Sequence, residues 1–452
     1  MIWLGAHFAL VATAVIFTLT WSLVMQERRT PQSTLAWMGF IILLPYAAIP
    51  AFLIFGYRKR RNLPSAALPP PGRETGADDL DRLLTGYGVA PAGSGNTFRL
   101  LFEGAPAYEA MMELVRGAQE SLSVTLYVLG DDEVGRAFCA ALAERAAQGV
   151  RVRLILDSVG ALRRPRAALR SLRRHGAEVR LYSPLLHGPF GGHVNLRNHR
   201  KMVIADGTGV WAGGRNVARD YLGPTAFADR WRDLSFTLCG PAAQGFTRLF
   251  ESDWTAAGAK SPPAPISAGA DTPTGTTPLR LVPSGPDTPD DPLHDALVHS
   301  CHTARERIWI VTPYFIPTEG LIAALSMAAR RGVDVRIALP ATSNQRLADL
   351  ARGAYMRALA ADGCRFFMIG GTMVHAKAVL TDARAFIGSA NFDARSLLLN
   401  FELMVLLESA EHLVELEGWA ADLMATADQT IPQSHGLRRL AEAIFRLTSP
   451  IL

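Results

Sequence analysis

Apolar positions follow two regimes along this chain. From Ile2 to Met25 the only ionisable side chain is His7, and Leu35 to Tyr57 carries no charge at all. Beyond Phe98 the apolar residues fall instead into short alternating runs separated by stretches of helical period. At a rise of about 1.5 Å per residue, each opening run can cross a hydrocarbon layer of roughly 30 Å. The pattern predicts two transmembrane helices, about 2–25 and 35–57, within an N-terminal segment 1–62. Pro45 and Pro50 lie inside the second run, where a membrane helix tolerates a kink. Trp3, Trp21 and Trp37 stand towards the run ends, where indole rings favour the interface. A signal peptide fits less well, because no basic residues follow Met1 and a second run comes soon after the first. Glu27, Arg28 and Arg29 separate the runs, whereas Arg58, Lys59, Arg60 and Arg61 follow them. The positive-inside bias places both the N terminus and the body on the cytoplasmic side of a hairpin, as a multi-pass membrane protein.

Residues 63–97, rich in Pro, Gly and Ala at their start, read as a linker. The body then repeats one programme. Tyr108–Gln119 has a helical apolar side, Leu122–Leu129 reads as a strand, Val134–Gln148 as a helix and Val150–Leu156 as a strand running into Asp157. Ala296–Ala304, Ile308–Thr312, Leu321–Arg331 and Val333–Leu339 repeat that order. "GVRVRLIL" at 149 and "GVDVRIAL" at 332 align. A Pro-rich linker, 261–278, divides a first unit, 98–260, from a second, 279–452, whose first strand is expected at Leu279–Val282. The fold class is α/β: two tandem units with helix-covered sheets, related by a pseudo-twofold axis.

The net charge of +5 comes from 46 basic and 41 acidic residues, and lysine occurs only at 59, 201, 260 and 377. In a chain that uses arginine by default, a retained lysine points to a need for a compact ammonium. Cys139, Cys239, Cys301 and Cys364 form no CxxC pair, which excludes a disulfide scaffold or a cysteine-rich zinc site. No GxGxxG or GxxxxGK[ST] motif supports nucleotide binding.

Two of the four lysines sit in a duplicated motif. His199, Lys201 and Asp206 form H-x-K-x4-D in "NHRKMVIADG", and His375, Lys377 and Asp382 form it again in "VHAKAVLTDA". Gly213, Gly214 and Asn216 follow the first; Gly388, Ser389 and Asn391 follow the second. On a strand, each His and Lys two residues apart share a face. Two such faces meeting at the axis would gather two imidazoles, two ammoniums and two carboxamides around one phosphoryl group. Lys201, Lys377, Asn216 and Asn391 would hold its oxygens while one imidazole attacks and the other protonates the leaving alcohol. Asp233 in "WRD" and Glu402 in "NFE" are expected to orient the histidines that precede them in their own units. Asp206 and Asp382 complete the catalytic modules, although their places at strand ends suit bracing of turns better than contact with substrate. A lysine on each histidine's face disfavours a metal ion, so no metal or other cofactor is expected.

These motifs resemble those of the phospholipase D superfamily, and within it bacterial cardiolipin synthases. The likeness extends through "RRTPQSTLAW" at 28–37, "NLRNHRK" at 195–201, "WRDLSFTLCGP" at 231–241, "VPSGPD" at 282–287, "TPYFIP" at 312–317, "GSANFDARSLLLNFE" at 388–402 and "RLTSPIL" at 446–452. The resemblance implies transfer of a phosphatidyl group between two phosphatidylglycerol molecules, giving cardiolipin and glycerol. It also implies that His199 is the nucleophile and His375 the acid and then the base; a mirrored assignment fits the bare sequence equally well. The partners are then these lipids, glycerol and the bilayer; no nucleic acid is expected, and the oligomeric state is open.

Rival readings are another phosphatidyltransferase or a hydrolytic phospholipase D, acting for example on phosphatidylethanolamine. More distant are an endonuclease of the same superfamily and a non-catalytic membrane scaffold. Tyr127, Tyr314 and Phe315 are candidates either for a lipid groove or for core packing. The arginines at 163, 164, 166, 170, 173 and 174 suit anionic headgroups or a solvated helix face equally. His187, His193 and His412 stand outside any constellation.

Overall fold

The computed structural model describes residues 2–25, 31–56, 78–183, 195–258, 272–288 and 290–433, with Gly436 and Glu442. Arg58–Arg61, His187, His193 and the terminal "RLTSPIL" lie outside the described residues.

The first apolar run is a single helix, α1 (Ile2–Met25), and it alone among the described residues is long and apolar enough to cross a membrane. The second run departs from expectation. It forms two helices, α2 (Pro31–Leu43) and α3 (Pro45–Phe55), broken at Leu44. Proline removes an amide donor and disfavours helical backbone at the residue before it, and Leu44 is out of the helical region at φ −138°, ψ 61°. The break is a fold-back rather than a kink. The Trp37 and Phe52 rings meet edge-on at 5.2 Å, whereas on an unbroken helix their Cα atoms would stand about 22 Å apart. Ala14, Ile41 and Ala48 seal the three helices together.

Residues 79–97, expected as linker, carry structure of their own. Helix α4 (Asp79–Gly86) is capped by the Asp78 carboxylate on the Asp81 amide. It packs on the second unit, where Arg280 reaches Asp81, Thr85 and the Val89 carbonyl. The first unit then runs β1 (Gly93–Leu101), α5 (Gly104–Gly117), β2 (Ser121–Leu126), α6 (Glu133–Ala147), β3 (Arg151–Asp157), α7 (Arg166–Arg174), β4 (Glu178–Tyr182), β5 (Met202–Ala205), β6 (Gly209–Gly213), β7 (Ser235–Cys239) and α8 (Ala243–Ala256). The second runs β8 (Thr277–Ser284), α9 (Pro292–Thr303), β9 (Arg307–Val311), β10 (Phe315–Ile316), α10 (Glu319–Arg330), β11 (Asp334–Pro340), α11 (Arg346–Ala361), β12 (Arg365–Ile369), β13 (Ala378–Thr381), β14 (Arg384–Gly388), β15 (Phe392–Asp393), α12 (Ala394–Leu398), β16 (Glu402–Leu407) and α13 (Ala410–Ala425).

The two units share one 14-stranded sheet, in the order β12-β11-β9-β13-β14-β16-β8-β1-β7-β6-β5-β2-β3-β4. Read from either edge, equivalent strands appear in the same order, so the pseudo-twofold axis passes between β8 and β1. These two pair antiparallel through Gly93–Leu279 and Asn96–Thr277. One apolar core, with Phe246 and Phe250 of α8 and Leu416 and Leu423 of α13, runs across both units on one face of the sheet. On the other face each unit has its own: Met111, Phe138 and Leu172 from α5, α6 and α7 in the first, Leu297, Leu325 and Tyr355 from α9, α10 and α11 in the second. Phe315, a groove candidate by sequence, is buried in the second core, stacked on Phe392 and edge-on to Phe366.

Candidate active site at the pseudo-twofold axis

His199 and Lys201 lead into β5, and His375 and Lys377 lead into β13. Both segments lie at the same end of the sheet, where two isolated parallel bridges stitch the units together. In one, the His199 amide donates to the Phe401 carbonyl at 2.9 Å, and the Phe401 amide to the Arg197 carbonyl at 2.9 Å. In the other, the His375 amide donates to the Arg232 carbonyl at 2.7 Å, and the Arg232 amide to the Met373 carbonyl at 2.8 Å. Each histidine is therefore set beside the acidic strand of the opposite unit.

This corrects the expected pairing. His199 Nδ1 lies 2.8 Å from Glu402 Oε1, and His375 Nδ1 lies 2.7 Å from Asp233 Oδ2. Asp233 and Glu402 are each hydrogen-bonded to an imidazole, but the exchange is crossed: each unit supplies the acid beside the other's histidine. Sequence distance favoured the same-unit acid, whereas the axis brings the other one into contact. In both rings the bond at Nδ1 fixes a tautomer and leaves Nε2 as the second nitrogen.

Small residues make these contacts possible. Gly213 (φ 138°) and Gly388 (φ 158°) end β6 and β14 where the neighbouring strand crowds them. A Cβ on Gly213 would meet the Leu234 carbonyl at 2.6 Å, and one on Gly388 the Leu403 carbonyl at 2.2 Å. A Cβ on Gly214 would strike the Asp233 carboxylate at 2.3 Å. The equivalent residue in the second unit, Ser389, instead donates its hydroxyl to Glu402 Oε2 at 2.6 Å. His199 thus ends a Ser389–Glu402–His199 chain, whereas the acid beside His375, Asp233, accepts the Leu234 amide with its other oxygen at 2.7 Å.

Both imidazoles are buried and neutral at pH 7. Burial first, then the adjacent lysine charges, outweigh the carboxylate partners and lower His199 to about 4 and His375 to about 3. For the acids the balance is reversed: burial raises them, but the imidazoles and lysines prevail, and Glu402 and Asp233 both sit below the usual carboxylate range. Lys201 is lowered, chiefly by burial, and Lys377 falls to about 8 for the same reason. Each histidine feels both lysines, as convergence on one cleft requires. Lys201 Nζ donates to the His199 carbonyl at 2.6 Å, and Lys377 Nζ lies 2.8 Å from His375 Nδ1. Asn216 and Asn391 are buried beside them; Asn216 Oδ1 accepts from the Val128 amide at 3.2 Å, and Asn391 is hydrogen-bonded to Asp393.

Asp206 and Asp382 stand apart from this cluster, at the far ends of β5 and β13. Asp206 accepts the amides of Gln119, Glu120 and Ser121 at 2.7–2.8 Å, and Asp382 those of Arg305, Glu306 and Arg307 at 2.8–3.0 Å. These contacts replace the catalytic placement expected from the motif: a carboxylate saturated by three amides braces the entry to β2 or β9. Asp206→Ala is expected to destabilise the fold by about 1–3 kcal/mol, read by denaturant unfolding, while kcat/KM stays within a few-fold of wild type.

Sequence reasoning named Tyr127 only as a groove or core candidate and missed Tyr221 and Arg200. The Tyr127 ring meets His199 edge-on at 4.8 Å, and the Tyr221 ring meets His375 edge-on at 5.0 Å. Arg200 is fully buried, donating to Asp253 Oδ1 at 2.6 Å and to the Glu402 carbonyl at 3.1 Å. Its signal was legible: the twofold-related position is Ala376, the one break inside the repeated H-x-K. Tyr314, also a groove candidate, bonds Asn344 at 2.5 Å. His412 is a core residue, its Nε2 against the Phe98 carbonyl at 3.1 Å.

Comparison with known proteins agrees with this architecture. Residues 111–254 and 297–424 match the family described as "Cardiolipin synthase, PLD-like domain". Cardiolipin synthase A of Pseudomonas fluorescens SBW25 is 32% identical over 450 residues, covering 94% of each chain. The protein of the same name from Pseudomonas aeruginosa PAO1 is 32% identical over 94% of this chain and 91% of its own. In fold, the chain is similar to the crystal structure of phosphatidylserine synthase from Haemophilus influenzae Rd KW20, with a TM-score of 0.60 and 15% identity, covering 78% of this chain and 95% of that one. A twice-matched family domain, full-length relatives and two H-x-K modules meeting at one axis lead to a single assignment: the chain belongs to the cardiolipin synthase family of the phospholipase D superfamily.

Proposed function

We propose that this enzyme makes cardiolipin by moving a phosphatidyl group from one phosphatidylglycerol to another and releasing glycerol. The observation that carries the reading is the crossed pair of acid-held imidazoles, both beside two lysines, in a chain that aligns along nearly its whole length with cardiolipin synthases. Neutral His199 attacks phosphorus through Nε2 with its lone pair, forming the P–N bond as the P–O bond to glycerol breaks. His375 supplies the proton that the departing alkoxide takes up. The primary hydroxyl of a second phosphatidylglycerol then gives its proton to His375 and attacks phosphorus; the P–N bond breaks and returns the electron pair to His199. One phosphodiester replaces another, so no energy-supplying nucleotide enters the balance. A phosphate between Lys201 and Lys377 offsets their charge and so raises both imidazoles, which makes protonation of His375 accessible during turnover. Lys201, Lys377, Asn216 and Asn391 hold the non-bridging oxygens where charge develops.

The lysine geometry sets the alkaline limb. Lys377 loses its proton above about pH 8, so kcat/KM is expected to fall as pH rises through that value. Lys377→Arg should move the limb beyond the measurable range, at reduced activity; an unmoved limb would assign it to another group. Activity is also expected to be unchanged by excess chelator, since ammoniums rather than a metal ion hold the phosphate.

The apolar N-terminal helices hold the enzyme at a bacterial cytoplasmic membrane, and the basic residues 58–61 keep its body on the cytoplasmic face. Cysteine-accessibility labelling on either side of the membrane tests that orientation. Purified enzyme given labelled phosphatidylglycerol, alone and then with phosphatidylethanolamine, tests the chemistry. Cardiolipin with equimolar glycerol is expected, whereas phosphatidic acid as the main product would identify a hydrolase.

A further inference from the structure

Among the described residues of the body five large apolar side chains are exposed, and three of them gather at the rim of the catalytic mouth. Leu162 (53% exposed), Phe227 (44%) and Leu347 (45%) each stand on a different loop or helix start. All three lie at the catalytic end of the sheet. Leu162 follows β3, whose last residue, Asp157, accepts the Asn198 amide next to His199. Leu347 opens α11 after β11, on the opposite side of the axis, in a place roughly equivalent to that of Leu162. Phe227 sits in the loop between Asn216 and Asp233, both of which belong to the site. Exposed arginines flank the two leucines: Arg163 and Arg166 beside Leu162, and Arg346 beside Leu347. The Phe227 loop is mixed in charge, with Asp220 and Asp229 set among Arg219 and Arg230.

The chain enters the body at the other end. Asp78 pairs with Arg384 at the start of β14, whereas the end of that strand, Gly388, adjoins the site. The membrane helices end at Gly56, and the chain between there and Asp78 can extend about 70 Å. Nine-residue β1 spans only about 30 Å of sheet height. The connection is therefore long enough for the body to turn its mouth back onto the bilayer that holds its anchor.

We infer that the mouth is a membrane-docking face: Leu162, Phe227 and Leu347 insert among acyl chains, while Arg163, Arg166 and Arg346 meet anionic headgroups. Apolar side chains beside cations match the composition of an interface rich in anionic lipid. This rests on the phosphatidyl-transfer reading and adds where the lipid enters. Docking the rim draws both phosphatidylglycerols straight into the cleft and keeps bulk water from the phosphohistidine.

The test uses the full chain in phosphatidylglycerol proteoliposomes, with benzoylphenylalanine at position 162, 227 or 347 in turn. The exposed apolar positions Met327 and Val414, on α10 and α13 away from the mouth, serve as controls. Photocrosslinking to lipid is expected at the three rim positions and not at the controls. Equal labelling at all five, or none at the rim, overturns the inference. Independently, Leu162→Glu combined with Leu347→Glu should lower the ratio of vesicle activity to detergent-micelle activity at least ten-fold. An unchanged ratio also overturns it. Wild-type enzyme that makes no cardiolipin even in micelles would sink the synthase reading instead, and the crosslinks would still decide the rim.

Discussion

His199→Ala and His375→Ala are each expected to lower cardiolipin formation by about 10⁴-fold or more, because each removes a group that takes part in making or breaking a bond. The two losses should differ in kind. With phosphatidylglycerol labelled in the phosphatidyl group, His199→Ala should show no label on the protein at any time. His375→Ala keeps the nucleophile and its Glu402–Ser389 support, so labelled protein should accumulate slowly and be stable to alkali, as a phosphoramidate is. Label on the His199→Ala protein and none on the His375→Ala protein would reverse the two roles. The structure gives a reason to expect the first outcome. Among the described residues, His199 alone is backed by a serine–carboxylate chain, and a buried arginine, Arg200, holds the backbone of its acid.

The second large effect tests the crossing of the units. Glu402→Gln, in the second unit, should cut formation of the phosphatidyl-enzyme on His199, in the first unit, by about 10⁴-fold, the loss seen when a histidine loses its orienting carboxylate. Asp233→Asn should weaken proton transfer at His375 and leave slow labelling of His199 intact. Own-unit pairing predicts the opposite: loss of label with Asp233→Asn and label retained with Glu402→Gln. Stability adds a pH signature. Glu402 and Asp233 have folded values below their unfolded ones of 4.5 and 3.8. The stability they contribute is fully present above those unfolded values and is lost as pH falls through the folded ones. Each amide variant should lose its share of that acid-side dependence.

Much of the fold was legible because the chemistry is local. Extended backbone at the entry to a strand places residues two apart on one face, so H-x-K set each histidine beside a lysine, and duplication announced two units. The elements from Gly104 to Asp157 and from Pro292 to Pro340 follow the alternation and helical period of the sequence, with ends shifted by a few residues. What was lost at the N terminus was also local in cause but cooperative in outcome. Pro45 signalled a kink, yet only the packing of Trp37 on Phe52 made it a fold-back that leaves α1 as the one long span among the described residues.

Composition and pattern by themselves determined that this chain carries apolar N-terminal segments, two α/β repeats and two histidine–lysine pairs in a duplicated motif. Only the tertiary structure decided which carboxylate serves which imidazole and that the sheet runs unbroken through both units. The reason is the axis. Residues near in sequence share a strand, but β1 and β8 pair across the symmetry element, and the contacts made there join groups about 140 and 200 positions apart. No periodicity records such contacts, because they are set by how two finished units meet.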